Sequence, residues 1–360
     1  MINIRPKHKH KHKLKTKYLI RRLVTVSVFL LLILMISSLF VKNGSKNEAK
    51  GVYNELDISK TGSIAFVENE FYKKYTINCT EIINEINSKE DKSKFQITIN
   101  KSEISDIDIK KVAKDSLGEI NIEENKDLII INFKKLTEVD NYVHLDYKNH
   151  SKVIIFIKKN KIPFKYNVVV DPGHGGVDVG TYYGKLFEKD LTLKISKYMV
   201  DNLRYNGCNV TFTRSTDVLL DKLVKQDLIK RSNLANDEKA DVFVSVHINS
   251  NTENEYNGVS TYYYGEASNQ QTERAKLAQA IQKEMLRNDA WKNISTHGDD
   301  LSVLRNTKMP SVLVECGFIS NSLDRKKLSN ETTLVNFGQN ISNGIIKYLA
   351  DAEIENNNTK

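Results

Sequence analysis

Four residues of this 360-residue chain pair chemical competence with a position that could use it: His174, Glu188, His247 and Glu315. Imidazoles ligate metals or move protons near neutral pH, and carboxylates ligate metals or act as general bases. His174 follows Val168-Val-Val170 and the chain breakers Asp171-Pro-Gly173. His247 ends Val242-Phe-Val-Ser-Val246, and Glu315 ends Ser311-Val-Leu-Val314. Each run is apolar and β-branched, as expected of a short buried strand. Open α/β sheets gather ligands at the carboxyl ends of their strands, so parallel strands would bring all three residues to one sheet edge. Glu188 opens a helical pattern just beyond a glycine-rich loop that is short enough to fold back on His174. A carboxylate is electrostatically comfortable at a helix amino end.

Singly, three of these residues have ordinary explanations. His174 suits a turn, His247 a hydrogen-bonded core position, and Glu188 the first turn of a helix. Glu315 is harder to dismiss, because an unpaired carboxylate ending a buried strand is costly. Together, two imidazoles and two carboxylates suggest catalytic zinc, which uses three protein ligands, His-His-Glu among the established sets, and leaves a position for water. The remaining carboxylate would accept the water's proton. Some neighbours stay open to two readings. Asp171 either orients His174 through its second ring nitrogen or forms the turn before Pro172. Arg231 either supports the site from behind or lies on a helix surface, and Asn249 is a further supporting candidate. Cys316 faces away from Glu315 on the same strand and reads as a core thiol.

The elements that must position these residues follow from periodicity. A helix is expected over about 188–205, where Leu191, Ile195, Met199 and Leu203 recur every four positions and Gly207 follows as a cap. Strands are expected at 209–213, 241–247, 258–264 and 311–315. A helical stretch runs through Leu223, Leu228 and Leu234, with further helices over about 270–287 and 333–349. Strand and helix in alternation indicate an α/β sheet covered by helices, over a domain placed at 166–350 with a polar tail at 351–360.

DPGHGG after a strand, a Glu fourteen positions beyond its His, SVHIN and VECGFISN occur in that order. Together they resemble the zinc-dependent N-acetylmuramoyl-L-alanine amidases of the amidase-3 type, over about 167–350. The resemblance implies a mixed, largely parallel sheet of about six strands flanked by helices. It implies Zn2+ held by His174, Glu188 and His247, with Glu315 as the catalytic glutamate. The implied substrate is peptidoglycan, cut between N-acetylmuramic acid and L-alanine. Two other functions are weighed against this one: a zinc peptidase acting on stem peptides, and an inactive membrane-anchored wall-binding scaffold. Retention of Glu315 argues against the scaffold.

The whole chain carries a net charge of +9, but nine Lys or Arg and no acid fall within residues 1–22. Removing those nine from 54 leaves 45 basic against 45 acidic residues, so the footprint of a nucleic-acid binder is missing. The run Leu23–Val41 has nineteen uncharged residues, enough to cross a bilayer. Its basic flank puts 1–22 in the cytoplasm and the rest outside. A cleaved signal peptide competes with a retained anchor, but no clean cleavage site is visible. The Lys-His alternation at 7–13 is read as part of the basic flank rather than as a metal site. Residues 42–60 read as a linker. A β-rich module of unknown role is expected at 61–165, where His144 and His150 are packing or surface residues. Three cysteines in so long a chain offer no disulfide framework. Regulation is expected to reside in the β-rich module or in a partner protein.

Overall fold

The computed structural model describes residues 64–358 except 80–81, 104–119, 138–140, 147–149, 160–162, 267–269 and 288–289. The expected basic tail, apolar span and linker lie outside the described residues. Among the described residues no helix is long and apolar enough to cross a membrane.

Apolar-polar alternation before residue 160 produces eight strands among the described residues: β1 (Ile64–Glu68), β2 (Tyr72–Asn78), β3 (Asn87–Glu90), β4 (Lys94–Asn100), β5 (Ile120–Asn125), β6 (Leu128–Lys134), β7 (Tyr142–Leu145) and β8 (Lys152–Lys158). They form two antiparallel sheets, ordered β1-β2-β8-β7 and β3-β4-β6-β5. Alternate side chains point to one face of a strand. Ile97 and Ile99 of β4, Ile129 and Ile131 of β6, and Ile155 and Ile157 of β8 therefore share one buried core. The result is a small β-sandwich.

The second half contains β9 (Tyr166–Pro172), a hairpin of β10 (Tyr182–Tyr183) and β11 (Leu186–Phe187), and α1 (Glu188–Tyr205). It continues through β12 (Cys208–Phe212), α2 (Val224–Asp237), β13 (Val242–Asn249), β14 (Val259–Tyr264) and α3 (Gln271–Met285). It ends with β15 (Asn293–Asp299), α4 (Ser302–Arg305), β16 (Ser311–Phe318), α5 (Ser322–Leu328) and α6 (Glu331–Asn358). The six-stranded sheet has the order β12-β9-β13-β16-β14-β15. Its first four strands are mutually parallel, and β14 runs antiparallel to β16. This is the mixed, largely parallel sheet that the resemblance implied.

Strand parity decides what covers each face. Val168, Val170, Val244 and Val314 join the core beneath α1, α3 and α6, whereas Val169, Phe243 and Leu313 join the core beneath α2 and α4. Leu191, Ile195, Met199 and Leu203 are all buried, so the four-residue spacing does mark the inner stripe of α1. Several elements depart from expectation, the short β10, β11, α4 and α5 among them. β15 carries polar residues and was not anticipated; it pairs with β14 through its backbone at the sheet margin. α6 runs through the expected polar tail to Asn358. Past Leu349 it has lost its apolar stripe, but Glu353 meets Lys165 and the Tyr166 hydroxyl, and Glu355 meets Lys276.

Candidate active site

Register brings the strand ends level. Val246 lies opposite Pro172 on the adjacent strand, and His247 lies opposite Glu315. The Gly173 amide then donates to the Val246 carbonyl at 2.9 Å, which continues the pairing into the histidine loop. His174 follows with a positive φ of 60°, uncommon for a side chain with a Cβ and held here by its surroundings. Glu188 begins α1, its amide donating to the Thr181 carbonyl at 2.9 Å, so the loop does fold back.

His174, Glu188 and His247 each offer one donor atom, and these atoms lie within 4.8 Å of one another. The Glu188 carboxylate sits between the rings. Its Oε2 is 3.2 Å from His174 Nε2, and its Oε1 is 2.9 Å from His247 Nδ1. Backbone amides aim the same carboxylate: Thr181 donates to Oε2 at 2.8 Å and Ile248 to Oε1 at 2.9 Å. Two glycines are required for this closeness. A Cβ at Gly173 would lie 2.5 Å from His247 Nε2, and one at Gly180 would lie 2.5 Å from Glu188 Oε2.

Charge follows geometry. Burial pushes the Glu188 carboxyl up, but the hydrogen bonds and charges of the two imidazoles outweigh it and hold it well below the usual range. Burial likewise pushes the His174 imidazolium down, yet Glu188 and then Asp178 lift it to about 9. Glu315 is the opposite case. Burial raises its carboxyl to about 7, with Glu188 adding to the rise while His247 and His174 oppose it. Its Oε2 is buried with no hydrogen-bond partner among the described residues. A carboxyl that titrates near neutrality beside two imidazoles is suited to taking and returning a proton.

The supporting residues differ in part from the sequence reading. Asp171 does not orient His174: its oxygens accept from Thr213 and Ser245 and pair with Arg231, all behind the sheet edge. The partner of His174 Nδ1 is Asp178, at 2.8 Å, within the glycine-rich loop. Arg231 is no surface residue; it is 1% exposed. It pairs with Asp171 and Asp227 and donates to the carbonyls of Pro172 and His174, each at 2.8 Å. Arg214, which the sequence reading passed over, donates to the carbonyls of Gly173 and Lys189, both at 2.8 Å. It thereby ties the histidine loop to the first turn of α1. The Asn249 side chain accepts from the amide of Ser250 and no described hydrogen bond links it to the site residues. Cys316 is fully buried in the core on the face opposite Glu315, and burial pushes its thiol well up.

Residues 168–347 match the amidase-3 family of N-acetylmuramoyl-L-alanine amidases. The chain belongs to this family. Among curated relatives, the germination-specific N-acetylmuramoyl-L-alanine amidase of Bacillus subtilis is 31% identical over 195 residues, covering 51% of this chain and 80% of its own. The uncharacterized protein YqiI of the same organism is 35% identical over 181 residues, covering 50% of this chain and 84% of its own. Among solved structures, the CwlD amidase of Clostridioides difficile in complex with the GerS lipoprotein is 30% identical. That alignment covers 52% of this chain and 99% of the other, with a TM-score of 0.48. The amidase match thus spans the α/β half and leaves the β-sandwich outside it.

Proposed function

We infer that this amidase hydrolyses peptidoglycan at the amide joining the lactyl group of N-acetylmuramic acid to L-alanine, with zinc as its cofactor. The observation that carries the mechanism is the meeting of His174, Glu188 and His247 around one point with Glu315 in register beside them. The donor set suits zinc. Two imidazoles and a carboxylate are an established catalytic zinc set, and one donor atom from each lies within 4.8 Å of the others. Zinc bound there would supply Lewis-acid polarisation of the amide carbonyl and render water nucleophilic at neutral pH.

The protein's own groups do the rest. Asp178 occupies His174 Nδ1 and so presents Nε2 to the site. Glu315 takes a proton from the attacking water as the C–O bond forms. It returns that proton to the alanine nitrogen as the C–N bond breaks. The basic flank and the nineteen-residue apolar run support a further placement, at the outer face of a bacterial cell membrane with a retained anchor. Membrane fractionation of the full chain against one lacking residues 1–41 tests it.

Glu315→Gln separates metal binding from chemistry. The variant should retain one zinc per chain and lose turnover by about two to four orders of magnitude. Undiminished turnover would remove Glu315 from the mechanism.

A further inference from the structure

The chain exposes its large hydrophobic side chains unevenly. Of the twelve that stand exposed among the described residues, eight lie on segments leaving the carboxyl edge of the six-stranded sheet, where His174, His247 and Glu315 are found. Exposed apolar groups gathered in one place mark a binding surface more often than chance scatter does. Val177 rides on the histidine loop itself. The strand order β12-β9-β13-β16 sorts most of the others into two flanks.

On the β12 side, the segment between Phe212 and α2, with the first residue of α2, exposes Val218, Leu223 and Val224. This segment is seated against the histidine loop. The Gly176 amide donates to Asp217 at 2.7 Å, and Leu219 fills the space beside Gly176. The exposed apolar side chains of this flank are all aliphatic, and they stand among exposed polar residues such as Asp217, Lys222 and Lys225.

On the β16 side the exposed groups include aromatic rings. Tyr256 lies 6.4 Å from Phe318, the last residue of β16. Tyr183 reaches the same place from the β10–β11 hairpin, whose root is Thr181 hydrogen-bonded to Glu188. Its ring lies 3.6 Å from the guanidinium of Arg325, which donates to the carbonyls of Ile319 and Ser320 just past β16. Tyr183 is therefore held in place while remaining 57% exposed.

Three inter-strand gaps separate β12 from β16, a span of about 14 Å, with the candidate metal ligands between. The scissile amide of the family's substrate has two chemically different sides. One is a glycan, whose sugar rings present C–H faces that pack on aromatic side chains. The other is a stem peptide beginning with the methyl side chain of L-alanine, which suits an aliphatic surface. We propose that Tyr183 and Tyr256 bind the glycan side of the substrate and that Val218, Leu223 and Val224 bind the stem-peptide side. The assignment rests on the amidase reading above.

Binding probes that are not cut test it separately from the reaction. The full chain is titrated with a peptide-free N-acetylglucosamine–N-acetylmuramic acid tetrasaccharide and with a free stem tetrapeptide beginning with L-alanine. Tyr183→Ala combined with Tyr256→Ala should weaken glycan binding about fivefold or more, the scale of lost ring stacking, and leave peptide binding unchanged. Val218→Ser combined with Leu223→Ser should do the reverse, and Tyr183→Phe should match the parent. The opposite pairing, equal affinities in all variants, or no saturable glycan binding by the parent would overturn the assignment. Hydrolysis of whole peptidoglycan by the parent, measured alongside, reports on the amidase reading alone. An inactive parent showing the expected binding pattern sinks the reaction, whereas an active parent lacking the pattern sinks the two flanks.

Discussion

At the scale of single residues, the site places two carboxylates in opposite electrostatic roles. Glu188 is surrounded by donors and imidazoles that keep it ionised, whereas Glu315 is buried with an unpartnered oxygen and shifted toward neutrality. The same side-chain type is thus held ionised at one position and pushed toward its protonated form at the other. The four candidate side chains could be picked out in the sequence because each lies next to an apolar run with a clear pattern, although β13 and β16 continue past His247 and Glu315. Asp178 was not. It lies in a glycine-rich loop without periodicity, and the more conspicuous Asp171 beside Pro172 drew the role assigned to a histidine partner. A carboxylate four residues after a histidine on such a loop is the signal that could have found it. Its Oδ2 accepts from the His174 ring at 2.8 Å, and its Oδ1 accepts from the Gly180 amide. Asp178→Asn should therefore weaken zinc binding by about tenfold or more, measured by competition with a chromophoric chelator. Unchanged affinity would mean that His174 needs no help to present Nε2.

At the scale of elements, the parallel run β12-β9-β13-β16 turns separate sequence motifs into one site, and its register puts His247 level with Glu315. Strand identity could be read from β-branched runs, but strand order could not. Order depends on which crossovers pack, and no local pattern encodes it. β15 was missed for a related reason: Asn293–Asp299 has no buried face to impose alternation, and its place comes from backbone pairing with β14. Beneath the histidine loop, Arg214 and Arg231 satisfy carbonyls that no strand partner reaches. Their charges gave no pattern by which sequence could separate them from surface arginines. Arg231→Met would leave Asp171 buried without its cation. A loss of about 3–5 kcal/mol in unfolding free energy is expected, measurable by urea denaturation. A loss under about 1 kcal/mol would show that Thr213 and Ser245 suffice to hold the Asp171 charge.

At the scale of the molecule, the β-sandwich docks at the end of α1 remote from the site. Phe71 fills the space beside Gly207, and His144 pairs with Asp201 at 2.7 Å. The helix from Glu188 to Tyr205 spans about 25 Å, so the sandwich does not touch the candidate metal ligands through this contact. Burial pushes the His144 imidazolium down, but the Asp201 charge, its hydrogen bond and that of the Leu145 carbonyl together outweigh it and the net shift is upward from 6.5, while Asp201 is held low. The pair's contribution is thus full below pH 6.5 and is lost as pH rises through the raised value. Between pH 6 and 9 the unfolding free energy of the parent should fall toward that of His144→Asn by up to about 1 kcal/mol; a difference between the two that stays constant with pH would remove the pair as its source. The reaction is defined by the bond that is cut. Purified peptidoglycan digested by the zinc-loaded full chain should gain free α-amino groups on L-alanine and release glycan strands free of peptide, and a chelator should stop both. No release from any peptidoglycan type, or products in which L-alanine stays attached to muramic acid, would contradict the amidase reaction.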